Sequence, residues 1–411
     1  MNHQYMTAAP TSALGRLRMA AILGTLTAIA PLSIDMYLPA LPTMAHELHA
    51  TTSDAQLSLT ACLLGLAIGQ LFAGPLSDAR GRKRPLLLGL ALYAVVSFAC
   101  ALAPSIWMLV AVRLLQGICG AAGIVIARAV VRDLYEGTAL TRFYSLLMLI
   151  NGAAPVLAPV IGGQLLRFTS WRGVFLILAA VGVLLTLMVA VFLPETLADD
   201  RRTVGGLRGT LRGFGELLTD RVFVAYALSQ GLVMAAMFGY ISGSPFVLQE
   251  IFGLSPQWFS VCFAANGVGI VVASQVTGAL AGKLNNNRIF VTGLSTAAAG
   301  GVALFASLLF GLGLPLVLPS LFVLVSSVGI VSTVGLSLAL QNHPRVAGSA
   351  AGLVGVAQLF LGAIASPLAG LGGQSSGGLS MGIVIAVADV GALVWYSVTA
   401  VRNRRLVSPS T

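Results

Sequence analysis

Read for apolar and polar positions, the chain is a succession of apolar runs, each about 20 residues long, separated by short polar turns. Twelve such runs lie near 19–41, 54–77, 85–104, 106–131, 141–165, 171–193, 221–247, 257–281, 289–311, 315–340, 346–371 and 378–401. About 20 apolar residues is what a helix needs to cross the hydrocarbon core of a bilayer. The runs are continuous rather than alternating, which argues against the short segments of a membrane barrel. The predicted fold class is therefore an all-α integral membrane protein with twelve transmembrane helices. The longest polar interruption, 194–220, sets Arg201, Arg202, Arg208 and Arg212 against Glu195, Asp199, Asp200 and Glu216. It divides the runs six and six, into an N-terminal half (1–193), a linker (194–220) and a C-terminal half (221–411).

Composition fits that pattern. The chain is 57% hydrophobic and 9% charged, against roughly 25% charged residues in ordinary soluble domains. Its 47 glycines would weaken soluble helices, but small residues let membrane helices approach closely. The net charge of +10 invites a nucleic-acid reading, and the distribution of the charge rejects it. With a cytoplasmic N-terminus, 20 of the 23 Lys and Arg residues fall inside; Arg167 and Arg172 fall outside and Arg113 lies within a run. That is the positive-inside bias, so the basic charge is topological. Met1 to Arg18 is polar, and the apolar run after it is longer than a signal-peptide core, so it is expected to remain as the first helix. Cys62, Cys100, Cys119 and Cys262 all fall within runs as small apolar fillers. His46 and His49 have no third ligand nearby, so neither a metal site nor any cofactor is expected. No nucleophile set, zinc-protease helix or phosphate loop is present, so an enzyme is not expected.

The two halves carry traces of repetition. Pro39 near the end of run 1 corresponds to Pro245 near the end of run 7, and Gly282-Lys283 through Arg288 looks like an eroded copy of a segment between runs 2 and 3. That segment is Gly74-Pro75-Leu76-Ser77-Asp78-Ala79-Arg80-Gly81-Arg82-Lys83-Arg84. In its order and spacing of Gly, Asp, Gly, Arg and Lys it resembles the loop between the second and third helices of the major facilitator superfamily. In run 5, Gly152, Pro155, Pro159 and Gly163 share one helical face. Their stretch, Asn151 to Gly163, resembles the antiporter motif of the drug-exporting branch, with Ala154 where that motif usually has glycine. Run 11 carries Gly348, Gly352, Gly355 and Gly362 in a matching stripe. Finally, Ser33-Ile34-Asp35-Met36-Tyr37-Leu38-Pro39-Ala40-Leu41-Pro42, Arg113-Leu114-Leu115-Gln116-Gly117 and Ala129-Val130-Val131-Arg132-Asp133-Leu134-Tyr135 are similar to the Bcr/CflA (bicyclomycin-resistance) subfamily of drug/proton antiporters. The resemblance runs from about residue 19 to the end of run 6 and weakens thereafter.

Three ionisable side chains lie well within runs: Asp35, Arg113 and Asp389. A charge at the bilayer centre costs about 2.5–3.5 kcal/mol even on the lower scales, so it normally faces a cavity or a partner. At 1.5 Å per residue, Asp35 and Arg113 lie at matching depth, about 10 Å below the outer boundary, where they can pair intermittently and couple proton entry to transport. Asp389 is expected to be satisfied by a local hydrogen bond. The expected substrate cavity is lined by Asp35, Tyr37, Arg113, Gln116 and Asn151 from the first half and by Gln230, Tyr240, Asn266 and Gln358 from the second. Gly74, Asp78, Gly81, Arg82 and Arg132 are expected to form a gating hinge in which Arg132 reaches Asp78.

The resemblance implies a proton-coupled efflux antiporter for small amphiphilic drugs or metabolites. It would work by alternating access as a monomer in the bilayer of the bacterial inner membrane, with both termini cytoplasmic. Two alternatives stay open: export of an endogenous metabolite, and a proton-coupled uptake symporter.

Overall fold

The computed structural model describes residues 13–202, 215, 217–341 and 347–407. Among them, twelve helices are long and apolar enough to cross a membrane, each within a few residues of an apolar run. In lipid a backbone must satisfy its own hydrogen bonds, which a helix does within one segment. The long elements are α1 (Ala13–Asp35), α3 (Thr52–Arg80), α4 (Lys83–Ala101), α5 (Ile106–Leu134), α6 (Gly137–Leu165) and α7 (Trp171–Phe192). They continue with α8 (Arg221–Phe246), α9 (Pro256–Leu280), α10 (Asn286–Leu309), α11 (Leu314–Leu340), α12 (Ala347–Leu368) and α13 (Leu379–Val407). A short helix, α2 (Leu41–Glu47), continues the first span beyond a 3-10 turn at Leu38–Ala40.

Local chemistry sets the ends. Ser105 and Ser255 open α5 and α9 by accepting from the amides of Met108 and Trp258, both at 3.3 Å. Asp220 and Asn285 open α8 and α10 by accepting from the amides of Val222 and Asn287, at 2.8 and 2.9 Å. Such caps satisfy amides that the first helical turn leaves without partners. The turns Gly81 and Gly282 both have φ of 84°, a left-handed conformation that glycine adopts without steric cost. Two segments that the sequence marks as copies thus share one backbone feature. Likewise α1 gives way to a 3-10 turn at Pro39, and α8 runs past Pro245 into a π-helical turn at Val247–Ile251.

The chain divides into two compact units: Met1–His49 with Ala61–Leu207, and Ala50–Thr60 with Arg208–Thr411. The first is centred on Leu23, Leu26, Tyr93, Ile126, Val130 and Val189. The second is centred on Phe223, Phe290, Leu294, Val331, Val334 and Ala392. The second unit also includes the first turns of α3, whose polar side chains meet carbonyls near a proline. Pro367 has no N–H, so the Ala363 carbonyl lacks its helical donor, and the Thr60 hydroxyl donates to it at 3.0 Å. Ser53 donates to the Pro367 carbonyl at 2.9 Å, and Gln56 to that of Ser242 at 3.0 Å.

Candidate transport site and charged hinge

Arg113 lies two turns into α5, fully buried. Its Nη1 donates to Gln116 Oε1 at 2.5 Å, and Gln116 Nε2 donates in turn to Ser97 Oγ at 2.7 Å. The guanidinium lies over the Tyr37 ring at 4.6 Å and the Phe175 ring at 5.6 Å, positions that attract a cation to the aromatic face. Its Nε and Nη2 have no hydrogen-bond partner. Ser33 and Tyr93 extend the polar seam through a 2.7 Å hydroxyl pair.

Asp35 is the last residue of α1 and is buried at 4% exposure, with Oδ1 unpartnered. The expected Asp35–Arg113 pair is not formed. The helix breaks immediately after Asp35, and the turn brings Tyr37 over the guanidinium instead. Two buried groups of opposite charge therefore stand in one unit, each with polar valence left open.

The antiporter stretch reaches this place through a neighbour of the expected glycine. A Cβ at Gly162 would strike the Met36 carbonyl oxygen, one residue from Asp35, whereas Gly152 faces open space. Pro159 and Gly163 are buried, and Pro155 is half-buried. Asn151 donates to the carbonyl of Leu147 at 2.9 Å and is not joined to the Arg113 seam.

In the second unit, Asn266 Nδ2 donates to the Tyr240 hydroxyl at 2.9 Å, and Tyr240 stacks on Phe263 with centroids 5.3 Å apart. Gln230 is buried and donates to the Tyr226 carbonyl at 3.2 Å, while Gln358 is half-buried on α12. In the run 11 stripe, Gly352 and Gly355 face open space and Gly362 meets the Phe238 ring. The expectation for Asp389 is corrected. It is buried at 1% exposure and neither carboxyl oxygen has a partner. It faces Gly301 of α10, which has no side chain to donate.

The hinge is a network inside the first unit. Arg82 Nη1 donates to Asp78 at 2.5 Å and to Ser77 at 2.8 Å, and its Nε donates to Asp133 at 2.8 Å. Arg132, expected to reach Asp78, is exposed, and the α5 side chain that joins the network is the half-buried Asp133, paired with Arg82. The reason is charge: a buried guanidinium needs a carboxylate, and Asp133 supplies one. Burial alone would lower the Arg82 pKa, but hydrogen bonds to Asp133 and Asp78, with their charges, reverse that and raise it. Glu195, a linker charge in the sequence, joins the network from the segment after α7. It accepts from the amides of Arg82 at 2.7 Å and of Lys83, Thr196 and Leu197, each at 3.1 Å. Burial pushes its carboxyl up, but the four amides outweigh burial and hold it below its ordinary value. Gly81 is required here twice over, by its φ and by a Glu195 carboxyl carbon 2.8 Å from where a Cβ would sit. Gly74 contributes its carbonyl, which accepts from Ser77 at 2.8 Å. Among the described residues no group of three His, Cys, Asp or Glu side chains is placed to hold a metal.

A hinge of this composition between the second and third of twelve spans is accompanied by a family match over residues 23–367, to the Major Facilitator Superfamily. The chain belongs to that superfamily. It is 41% identical over 390 residues to the uncharacterised MFS-type transporter YdgK of Bacillus subtilis, covering 94% of this chain and 96% of the relative. It is 29% identical to a bicyclomycin resistance protein homolog of Haemophilus influenzae, over 84% of this chain and 87% of that one. Among solved structures it is similar to a bacterial homolog of the human lysosomal transporter Spinster, with a TM-score of 0.77 at 15% identity, over 97% of this chain and 100% of that one. The protein is thus a multi-pass membrane transporter and not an enzyme.

Proposed function

We propose that this transporter is a proton-coupled efflux antiporter for small amphiphilic compounds, drugs among them. In this reading it acts as a monomer in a bacterial inner membrane, with both termini cytoplasmic. Transport proceeds by alternating access of the six-helix halves 1–193 and 221–411, joined by 194–220.

One observation carries the reading: Asp35 and Arg113 are both buried in the first unit and are not paired. An ionised Asp35 has no counter-charge against it. Charge balance at that position is then supplied by whatever binds, a proton or a cationic group of the substrate, and competition between the two is what exchange requires. Arg113, held over Tyr37 and tied to Gln116, tunes the site from a fixed position. The close approach of Gly162 to Met36 links the antiporter stretch to the same place. The name of the Haemophilus influenzae relative favours export over uptake.

The test is substrate-induced proton release from purified protein across a pH series, together with an amphiphilic-antibiotic susceptibility panel in a pump-deficient bacterium. Asp35→Asn is expected to abolish proton release and resistance while correctly folded protein is retained. Release that persists unchanged in Asp35→Asn removes Asp35 from coupling. An uncoupler that lowers rather than raises substrate accumulation makes the protein an uptake symporter.

A further inference from the structure

A second feature, in the other unit, has nothing to do with proton coupling. Helices α9 and α10 each pack along α11, but where the 281–285 turn joins them they leave an apolar groove of about 480 Å³. Val272 and Val276 line it from α9, and Phe322 and Ile330 line it from α11. These are not sealed core positions: Val272 is 55% exposed, Val276 53% and Phe322 45%. On a membrane helix bundle such apolar surface faces acyl chains.

The mouth of the groove is basic. Arg288 lines it beside Asn285, and Lys283 lies in the adjoining turn. Both basic residues are exposed, and among the described residues neither is in an ion pair. The reason is in the sequence, which has no Asp or Glu at all between Glu250 and Asp389. One cation at the groove and a second in the adjoining turn thus have no acid in their own segment to neutralise them. Basic pockets between membrane helices bind anionic head groups.

We propose that this groove is a binding site for one anionic phospholipid. Its phosphodiester sits at Arg288 and Lys283, and an acyl chain lies along Val272, Val276 and Phe322. The apolar groove selects a lipid over a free anion, and the unpaired cations select an anionic over a zwitterionic head group.

The experiment is native mass spectrometry of the detergent-purified, full-length protein titrated with phosphatidylglycerol, with phosphatidylcholine of the same chain length, and with inorganic phosphate as competitor. Each basic residue near an anionic lipid contributes about a fivefold preference. Wild type is therefore expected to retain phosphatidylglycerol over phosphatidylcholine by about 25-fold, and Arg288→Gln to lower that ratio about fivefold. Arg288→Gln with Lys283→Gln should bring the ratio to about one, and Arg288→Lys should preserve most of it. Val276→Trp, which fills the groove and leaves the charges, should lower retention of both lipids. If Val276→Trp fails to fold, Val272→Phe takes its place. Equal retention of the two lipids by wild type, a preference unchanged in the double variant, or displacement of the lipid by inorganic phosphate would each overturn the proposal.

Discussion

At the scale of single residues, the charged hinge separates two adjacent side chains that look interchangeable in the sequence. Arg132 and Asp133 are neighbours at the end of α5, but only Asp133 reaches Arg82. Removing one partner of a buried charge pair costs about 3–5 kcal/mol, because the other charge is left uncompensated. Arg82→Ala and Asp133→Asn are therefore expected to lower both the melting temperature in detergent and the transport rate, and Arg132→Ala to leave the melting temperature within error. A large loss in Arg132→Ala with none in Asp133→Asn would reverse the assignment. Glu195 makes a pH-dependent contribution whose sign follows from its shift. Its folded-state pKa lies below the ordinary carboxylate value, so the stability it adds is present above that ordinary value. That stability is lost as pH falls through the lower folded value. The melting-temperature gap between wild type and Glu195→Gln should be largest near neutral pH and should close in acid. A gap that is constant with pH would show that the amide contacts do not depend on ionisation.

At the scale of elements, close helix approach is set by particular glycines rather than by a whole stripe. In α6, Gly162 abuts the backbone of the α1 end at Met36, while Gly152 has nothing within 4 Å of an added Cβ. Gly162→Ala must push α6 from α1, and overpacking of this kind costs about 1–3 kcal/mol. Gly152→Ala adds no contact and gains helix propensity, about 1 kcal/mol on soluble scales. Thermal melts should therefore show Gly162→Ala lowered and Gly152→Ala unchanged or raised, with transport impaired only in the first. Equal melting temperatures would mean that α6 and α1 separate freely at this contact. The run 11 stripe divides in the same way, with Gly362 against Phe238 and Gly352 and Gly355 in open space. Helical periodicity places residues on a face, but it does not say which of them a neighbour touches.

At the scale of the whole molecule, the proposed orientation rests on the basic turns. The proposed topology puts the α6–α7 turn outside and the α9–α10 turn inside. Phe168 is 87% exposed in the first of these turns, and Lys283 is exposed in the second. On a background without native cysteines, an impermeant maleimide should label Phe168→Cys in intact cells and Lys283→Cys only after lysis. The opposite pattern would invert the topology.

Twelve spans and the glycine turn between the second and third of them are legible in the residues. Each rests on quantities local to the chain: run length, the sign of charge in turns, and glycine at a left-handed turn. The separation of Asp35 from Arg113 was not legible, because it depends on where α1 breaks and so on which of two nearby side chains, Asp35 or Tyr37, meets the guanidinium. In the sequence Glu195 is only a linker charge, since two of its four amide donors, Arg82 and Lys83, lie more than a hundred residues away in the chain. Asp389 was expected to find a hydrogen bond, and what it faces is a glycine on another helix. Sequence alone determined what must lie in the membrane, because transfer from water to lipid is a property of each segment. Only the tertiary structure decided which buried polar groups are satisfied, because hydrogen bonds and ion pairs depend on positions a few ångströms apart that segments distant in sequence set together.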